Sequence, residues 1–95
     1  MNQSDITVHK NITIHGEVQG VGFRYAARSQ ARYTGIKGFV KNQYDGTVYI
    51  EAEGDTENIN EFLSWCAKGP SYAHVEHIDV SQGPVKNFRQ FEIAF

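Results

Sequence analysis

One segment constrains this chain more than any other. From Val8 to Val18 apolar and polar residues alternate: Val8, Ile12, Ile14 and Val18 share one parity, and Asn11, Thr13, His15 and Glu17 share the other. A period of two is that of a strand with one face buried. Gln19-Gly20-Val21-Gly22 follows directly, and then no helix breaker until Gly35. The segment reads as strand, glycine loop and helix start. Such a junction turns several unpaired backbone N–H groups and the positive end of a helix dipole toward one point, which suits an anion.

The remaining elements follow from pattern. Residues 23 to 34 are expected to be helical, with small Ala26, Ala27 and Ala31 and a left-handed cap at Gly35. Ile36 to Asn42 and Thr47 to Glu53 are expected strands, and Asp45-Gly46 between them signals a hairpin. Val48, Ile50 and Ala52 share one face; Thr47, Tyr49, Glu51 and Glu53 share the other; Gly54 is expected to break the pattern. A second helix is capped by Asp55 or Thr56, carries Ile59, Phe62, Leu63 and Cys66 on one stripe, and stops at Gly69-Pro70. Val75 to Ser81 and Arg89 to Ala94 are expected strands around a turn at Gly83-Pro84. The order is β-α-β-β-α-β with a short final strand. This predicts an α+β, ferredoxin-like sandwich: an antiparallel sheet with two helices on one face, spanning residues 7–95 after a flexible tail at 1–6.

Composition narrows the function. A chain of 95 residues fits one domain. Its net charge of −2 provides no basic balance to favour nucleic acid or acidic membranes. No apolar run approaches the ~20 residues of a membrane span. The first residues have neither a basic region nor an apolar stretch behind it, so no secretion signal is expected. The single cysteine cannot form an internal disulfide. A cytoplasmic monomer is expected, with no nucleic-acid or membrane partner. Asn11-Ile12-Thr13 fits the glycosylation sequon and reads as chance in such a protein.

Three features carry candidate chemistry. Gly20 and Gly22 permit positive φ and clear the way to the backbone, offering N–H donors from about Gly20 to Arg24. Geometry alone also accounts for two glycines at a strand-to-helix turn. The loop is no Rossmann fingerprint, because Tyr25 stands at the third glycine position; nor is it a Walker loop, since no Gly-Lys-Ser/Thr follows. Arg24 sits where the helix dipole disfavours a cation, which points to a use other than helix stability. Its planar fork matches two phosphate oxygens; a solvent-directed arginine is the bland alternative. Asn42 shares parity with Val40 at a strand end, and its amide can donate to and accept from one water. A turn asparagine is the alternative there. His9, His15, His74 and His77 fit no metal-ligand spacing and read as surface residues, so no metal site and no cofactor are expected. Cys66 reads as core, and no Ser-His-Asp arrangement can be assembled.

With the loop, Arg24 and Asn42 in view, the chain resembles the acylphosphatases from about Val8 to Phe95. Gly16-x-Val18-Gln19-Gly20-Val21-Gly22-Phe23-Arg24 is similar to the family's first signature. Gly38-Phe39-Val40-Lys41-Asn42, followed by Asp45-Gly46, is similar to its second, and Glu53-Gly54 and Gly69-Pro70 resemble further landmarks. The resemblance implies a small metal-free enzyme that hydrolyses a small-molecule acyl phosphate to a carboxylate and inorganic phosphate. It implies that Arg24 binds the phosphoryl group, that Gln19, Gly20, Val21, Gly22 and Phe23 cradle it, and that Asn42 orients the attacking water. Position 17 is often basic in the family and is Glu17 here, so weaker attraction of anionic substrates is expected, with Glu17 facing away from the helical side.

Three rival readings share the fold. RNA-recognition motifs have the same element order, and Lys37-Gly38-Phe39-Val40 echoes their aromatic signature, but on the second strand rather than the third. A non-catalytic ligand-binding module would hold phosphate without hydrolysing an acyl phosphate. The acylphosphatase-like domain of hydrogenase-maturation carbamoyl-transfer proteins belongs to much larger chains with zinc-binding cysteines, which this sequence lacks.

Overall fold

The structure, a computed structural model, describes residues 6–95. The expected tail therefore lies outside the described residues, apart from exposed Ile6. The first strand, β1 (Thr7–Glu17), leads into helix α1 (Phe23–Tyr33). Strands β2 (Lys37–Asn42) and β3 (Val48–Asp55) form the hairpin, and α2 (Thr56–Lys68) follows. Then come β4 (His74–Gly83) and the short β5 (Phe91–Ile93). The five strands lie in the order β4-β1-β3-β2-β5. All neighbouring pairs are antiparallel except β2 and β5, which run parallel with Val40 beside Ile93. The expected β-α-β-β-α-β order holds, and the short final strand adds one parallel edge.

Alternation decides which face is covered. Ile12 and Ile14 of β1, Val40 of β2, and Val48, Ile50 and Ala52 of β3 are buried in one cluster with residues of both helices. The first helix contributes Phe23, Ala27 and Ala31 at a spacing of four, and the second contributes Ile59, Phe62 and Cys66. Alanines on α1 let it lie close to the sheet, so its narrow apolar stripe suffices. Asp55 is the residue that caps α2, its side chain accepting from the Asn58 amide at 2.8 Å. Burial pushes the Cys66 thiol pKa up and leaves it inert.

Several boundaries differ from the sequence reading, and β4 runs from His74 through Gly83, which pairs with His9 instead of lying in a turn. Gly54 does not break β3; it pairs with Val8, and the strand runs on to Asp55. A side chain there would press on Ile36 Cδ1, so a tight approach explains the glycine. The last strand begins at Phe91 rather than Arg89, because residues 84–90 are drawn over the face of the sheet opposite the helices.

That face holds the main correction. His9 is buried at 1% exposure, not a surface residue. Its Nδ1 lies 2.6 Å from Glu53 Oε2, and its Nε2 lies 2.9 Å from Asn11 Oδ1. Glu53 in turn accepts the backbone N–H groups of Lys86 and Phe88. Between those amides Asn87 adopts a left-handed φ of 60°, a conformation asparagine tolerates better than most residues. The Phe88 ring then packs against His9 and Phe39, each with centroids 5.9 Å apart. One buried carboxylate thus straps the β4–β5 connection across the sheet. Glu51 beside it pairs with Lys86 Nζ at 2.8 Å and accepts from the Tyr49 hydroxyl, and burial together with that carboxylate pushes the Tyr49 pKa up to about 12.

Burial alone pushes the Glu53 carboxyl up. The Lys86 amide, the His9 ring and the Phe88 amide outweigh it and hold the carboxyl below the usual carboxylate range. A carboxyl depressed in the fold contributes stability that is complete above the unfolded value of ~4.3 and is lost as pH falls through the folded value. Glu53→Gln should lower unfolding free energy by about 2–3 kcal/mol in urea titrations at neutral pH, the worth of hydrogen bonds to a charged acceptor. The gap between wild type and variant should narrow on acidification below that range; a gap constant from neutral to acid pH would contradict the strap.

Candidate active site

Residues 18–22 link β1 to α1, and Gly20 and Gly22 hold φ values of 76° and 78°. These left-handed turns explain both glycines, and a Cβ at either position would meet open space rather than protein. Gly22 is the N-cap of α1 and provides no side-chain cap, and the first turn carries no acidic residue. The first helix amide to find a carbonyl is that of Ala26, bonded to Gly22 O at 3.1 Å. Among the described residues, no backbone N–H from Gly20 to Tyr25 has a protein acceptor. A helix start normally satisfies such donors with its cap. Here they are left without one at the positive end of the dipole.

Phe23 anchors this turn. Its ring is 2% exposed and packs against Trp65 with centroids 5.5 Å apart, so only its amide is available to a ligand. Arg24 follows on the half-buried side of the helix start. No carboxylate among the described residues pairs with it; its guanidinium sits 5.8 Å from the centre of the Phe95 ring. Such a contact with an exposed ring contributes about 0.5–1 kcal/mol and leaves the guanidinium N–H groups unspent.

Asn42 ends β2, half-buried, and its side chain makes no hydrogen bond among the described residues. The hairpin behind it is stiff. Asp45 Oδ1 accepts from both the amide and the hydroxyl of Thr47, at 3.0 and 2.6 Å, and these bonds hold the Asp45 carboxyl below its ordinary pKa. Gln43 N–H donates to Thr47 O at 2.9 Å, closing the turn. An open cleft of about 820 Å³ is lined by Gln19, Lys41, Asn42, Gln43, Tyr44, Asp45 and Phe95.

The cleft joins the two halves that sequence placed far apart. Gln19 lies in the glycine loop and Asn42 on the hairpin. The Gln19 side-chain amide donates to Gln43 O at 2.7 Å and to Thr47 O at 2.9 Å, tying the loop to the turn. Phe95 lines the cleft beside Asn42 while its ring lies under Arg24. Parallel pairing of β5 with β2, extended by Ala94 N–H to Val40 O at 2.8 Å, sets the ring there. Gly20, Val21, Gly22, Phe23 and Arg24 do not themselves line the cleft; Gln19 precedes them in the chain, and Phe95 contacts Arg24. Glu17 is exposed, in register with His74 and outside the cleft.

Sequence reasoning missed two of these parts. Gln19 was expected in the loop whose backbone amides cradle the phosphoryl group; the engagement of its side chain by the hairpin was not foreseen. Phe95 carried no signal, being one aromatic residue past the last strand. The chain matches known proteins over nearly all of its described length. Residues 10–93 match the model of the family described as Acylphosphatase. The chain belongs to the acylphosphatase family. It is 46% identical over 84 residues to an acylphosphatase of Archaeoglobus fulgidus, covering 88% of this chain and 94% of that one. An acylphosphatase crystal structure from Bacillus subtilis superposes with a TM-score of 0.90 at 32% identity, over 93% of this chain and 99% of that one. Full-length HypF aligns with a TM-score of 0.85 at 31% identity, over 95% of this chain but only 12% of that much longer one. As an acylphosphatase the protein is a hydrolase of acyl phosphates.

The tether makes a testable claim about Gln19. Gln19→Ala should lower stability by about 1–2 kcal/mol for two lost hydrogen bonds. Turnover of an acyl phosphate should fall while inhibition by inorganic phosphate stays near wild type, because loop and hairpin lose their mutual alignment. Loss of phosphate inhibition at unchanged stability would mean that the side chain touches the ligand instead.

Proposed function

We propose that this acylphosphatase holds the phosphoryl group of its substrate with Arg24 and the backbone amides of residues 19–24, and that Asn42 orients the attacking water. One observation carries this reading most: a run of unpartnered amides at an uncapped helix start, next to an arginine with no carboxylate partner among the described residues. Such a cup costs little to desolvate around an anion and needs no rearrangement when charge builds up.

The chemistry asks for little else. An acyl phosphate is a mixed anhydride, and its leaving carboxylate has a conjugate acid of pKa ~4, close to that of an Asp or Glu side chain. That group departs at neutral pH without a general acid. Water attacks phosphorus, the bond from phosphorus to the acyl oxygen breaks, and the carboxylate takes the bonding pair. One water proton passes to a phosphoryl oxygen, giving inorganic phosphate. Arg24 and the amides neutralise the phosphoryl oxygens, while Asn42, which does not ionise, aims the water in line. The Asn42 amide has no bond to protein among the described residues, so both its donor and its acceptor remain available.

Benzoyl phosphate, compared with an aryl phosphate monoester in the presence and absence of a chelator, tests the reading. Hydrolysis of the first alone, indifferent to chelator, is the expected result. Arg24→Ala should cut turnover by about 10²–10³ or more and abolish inhibition by inorganic phosphate, as loss of a preorganised charge-stabilising donor does. Asn42→Ala should lower turnover while leaving phosphate inhibition near wild type. Equal loss of phosphate binding in both variants would end this division of roles.

A further inference from the structure

Outside the cleft, β1 and β4 bring together three side chains that sequence scattered. Their antiparallel register sets His15 opposite His77. The two imidazoles stack with centroids 4.1 Å apart and planes 10° from parallel. Asp79 lies two residues further along β4, on the same face by the period of a strand. Its Oδ2 is 2.8 Å from His15 Nε2 and 3.7 Å from His77 Nε2. One ligand atom from each residue lies within 4.8 Å of the others. We propose that His15, His77 and Asp79 form a binding site for one late first-row divalent cation, with Zn²⁺ as the representative ion.

The geometry fits that class of ion. Zinc bonded at ~2.0–2.1 Å in a tetrahedron requires ligand atoms roughly 3.3 Å apart. The separations of 2.8 and 3.7 Å from Asp79 Oδ2 to the two Nε2 atoms bracket that spacing, and the stacked rings must tilt out of their near-parallel arrangement for both lone pairs to converge on one ion. Two imidazoles and one carboxylate suit Zn²⁺, Ni²⁺ or Cu²⁺, whereas Ca²⁺ and Mg²⁺ take oxygen ligands. His15 donates one hydrogen bond to Asp79, whereas His77 makes none among the described residues and meets Asp79 only at the longer distance while stacking on His15. Cation binding would engage both rings in their neutral form, with the ring proton on Nδ1. The register shifts between His15 and Gly16, and such a bulge turns the strand and re-aims the side chain beside it. Gly16 is required there, because a Cβ would collide with His74 O. None of the three ligands lines the cleft.

The untagged chain, stripped with chelator and kept in a phosphate-free buffer, should be titrated with Zn²⁺ by calorimetry and with Co²⁺ by visible absorption. One equivalent should bind in the micromolar range and raise the melting temperature. His77→Ala, a change at an exposed strand position, should weaken binding by at least about tenfold and remove the thermal shift, since even the outer partners of metal ligands are worth that much. His74→Ala should bind like wild type. Absence of binding up to millimolar metal, or equal affinity in wild type and His77→Ala, would overturn the site.

Discussion

Everything of consequence in this molecule is placed by the pairing of β1. It is hydrogen-bonded on both edges, to β3 on one side and β4 on the other. Its register therefore fixes three things at once. Ile14 opposite Val48 delivers the glycine loop beside the β2–β3 turn. His9 opposite Glu53 starts the strap on the far face. His15 opposite His77 assembles the stacked pair. A slip of one residue would send Ile12 and Ile14 to the strap face and dissolve all three arrangements together.

The two faces of the sheet divide the labour. The helical face carries an apolar core in which Phe23 and Phe62 lock the helices. That rigidity allows the start of α1 to remain uncapped, because tertiary packing rather than capping secures the turn. The opposite face is held by polar contacts that are fully partnered, with no buried side-chain polar atom left unsatisfied among the described residues. The unspent hydrogen-bonding capacity collects instead at the loop, at Arg24 and at Asn42. Local choices that lower stability, a cation at the helix start and an absent cap, gather where the proposed chemistry needs them.

Much of this was legible in sequence because the relevant signals are local. The strand period, the Asp45-Gly46 turn, the stripe of Ile59, Phe62 and Cys66, and the glycine loop each lie within a short window. The misread parts are those where distant residues meet. His9 sits on the polar parity of β1 and looks exposed, and nothing nearby reports that residues 84–90 will cover it. Gly54 looks like a breaker, because the side chain of Ile36 that demands it belongs to another element. Gln19 was read only as part of the phosphate loop, and the tether of its side chain is silent in sequence because its acceptors lie on the hairpin.

The sequence by itself determined the elements, the fold class and the family, and it named Arg24 and Asn42, since residue type and spacing encode local conformation and motif. Only the tertiary structure decided what connects the elements that carry them. That depends on a parallel β2–β5 pair carrying Phe95 under Arg24 and on a glutamine bridging loop and turn. Contacts between residues far apart in the chain follow from register and packing, and no short window of sequence records them.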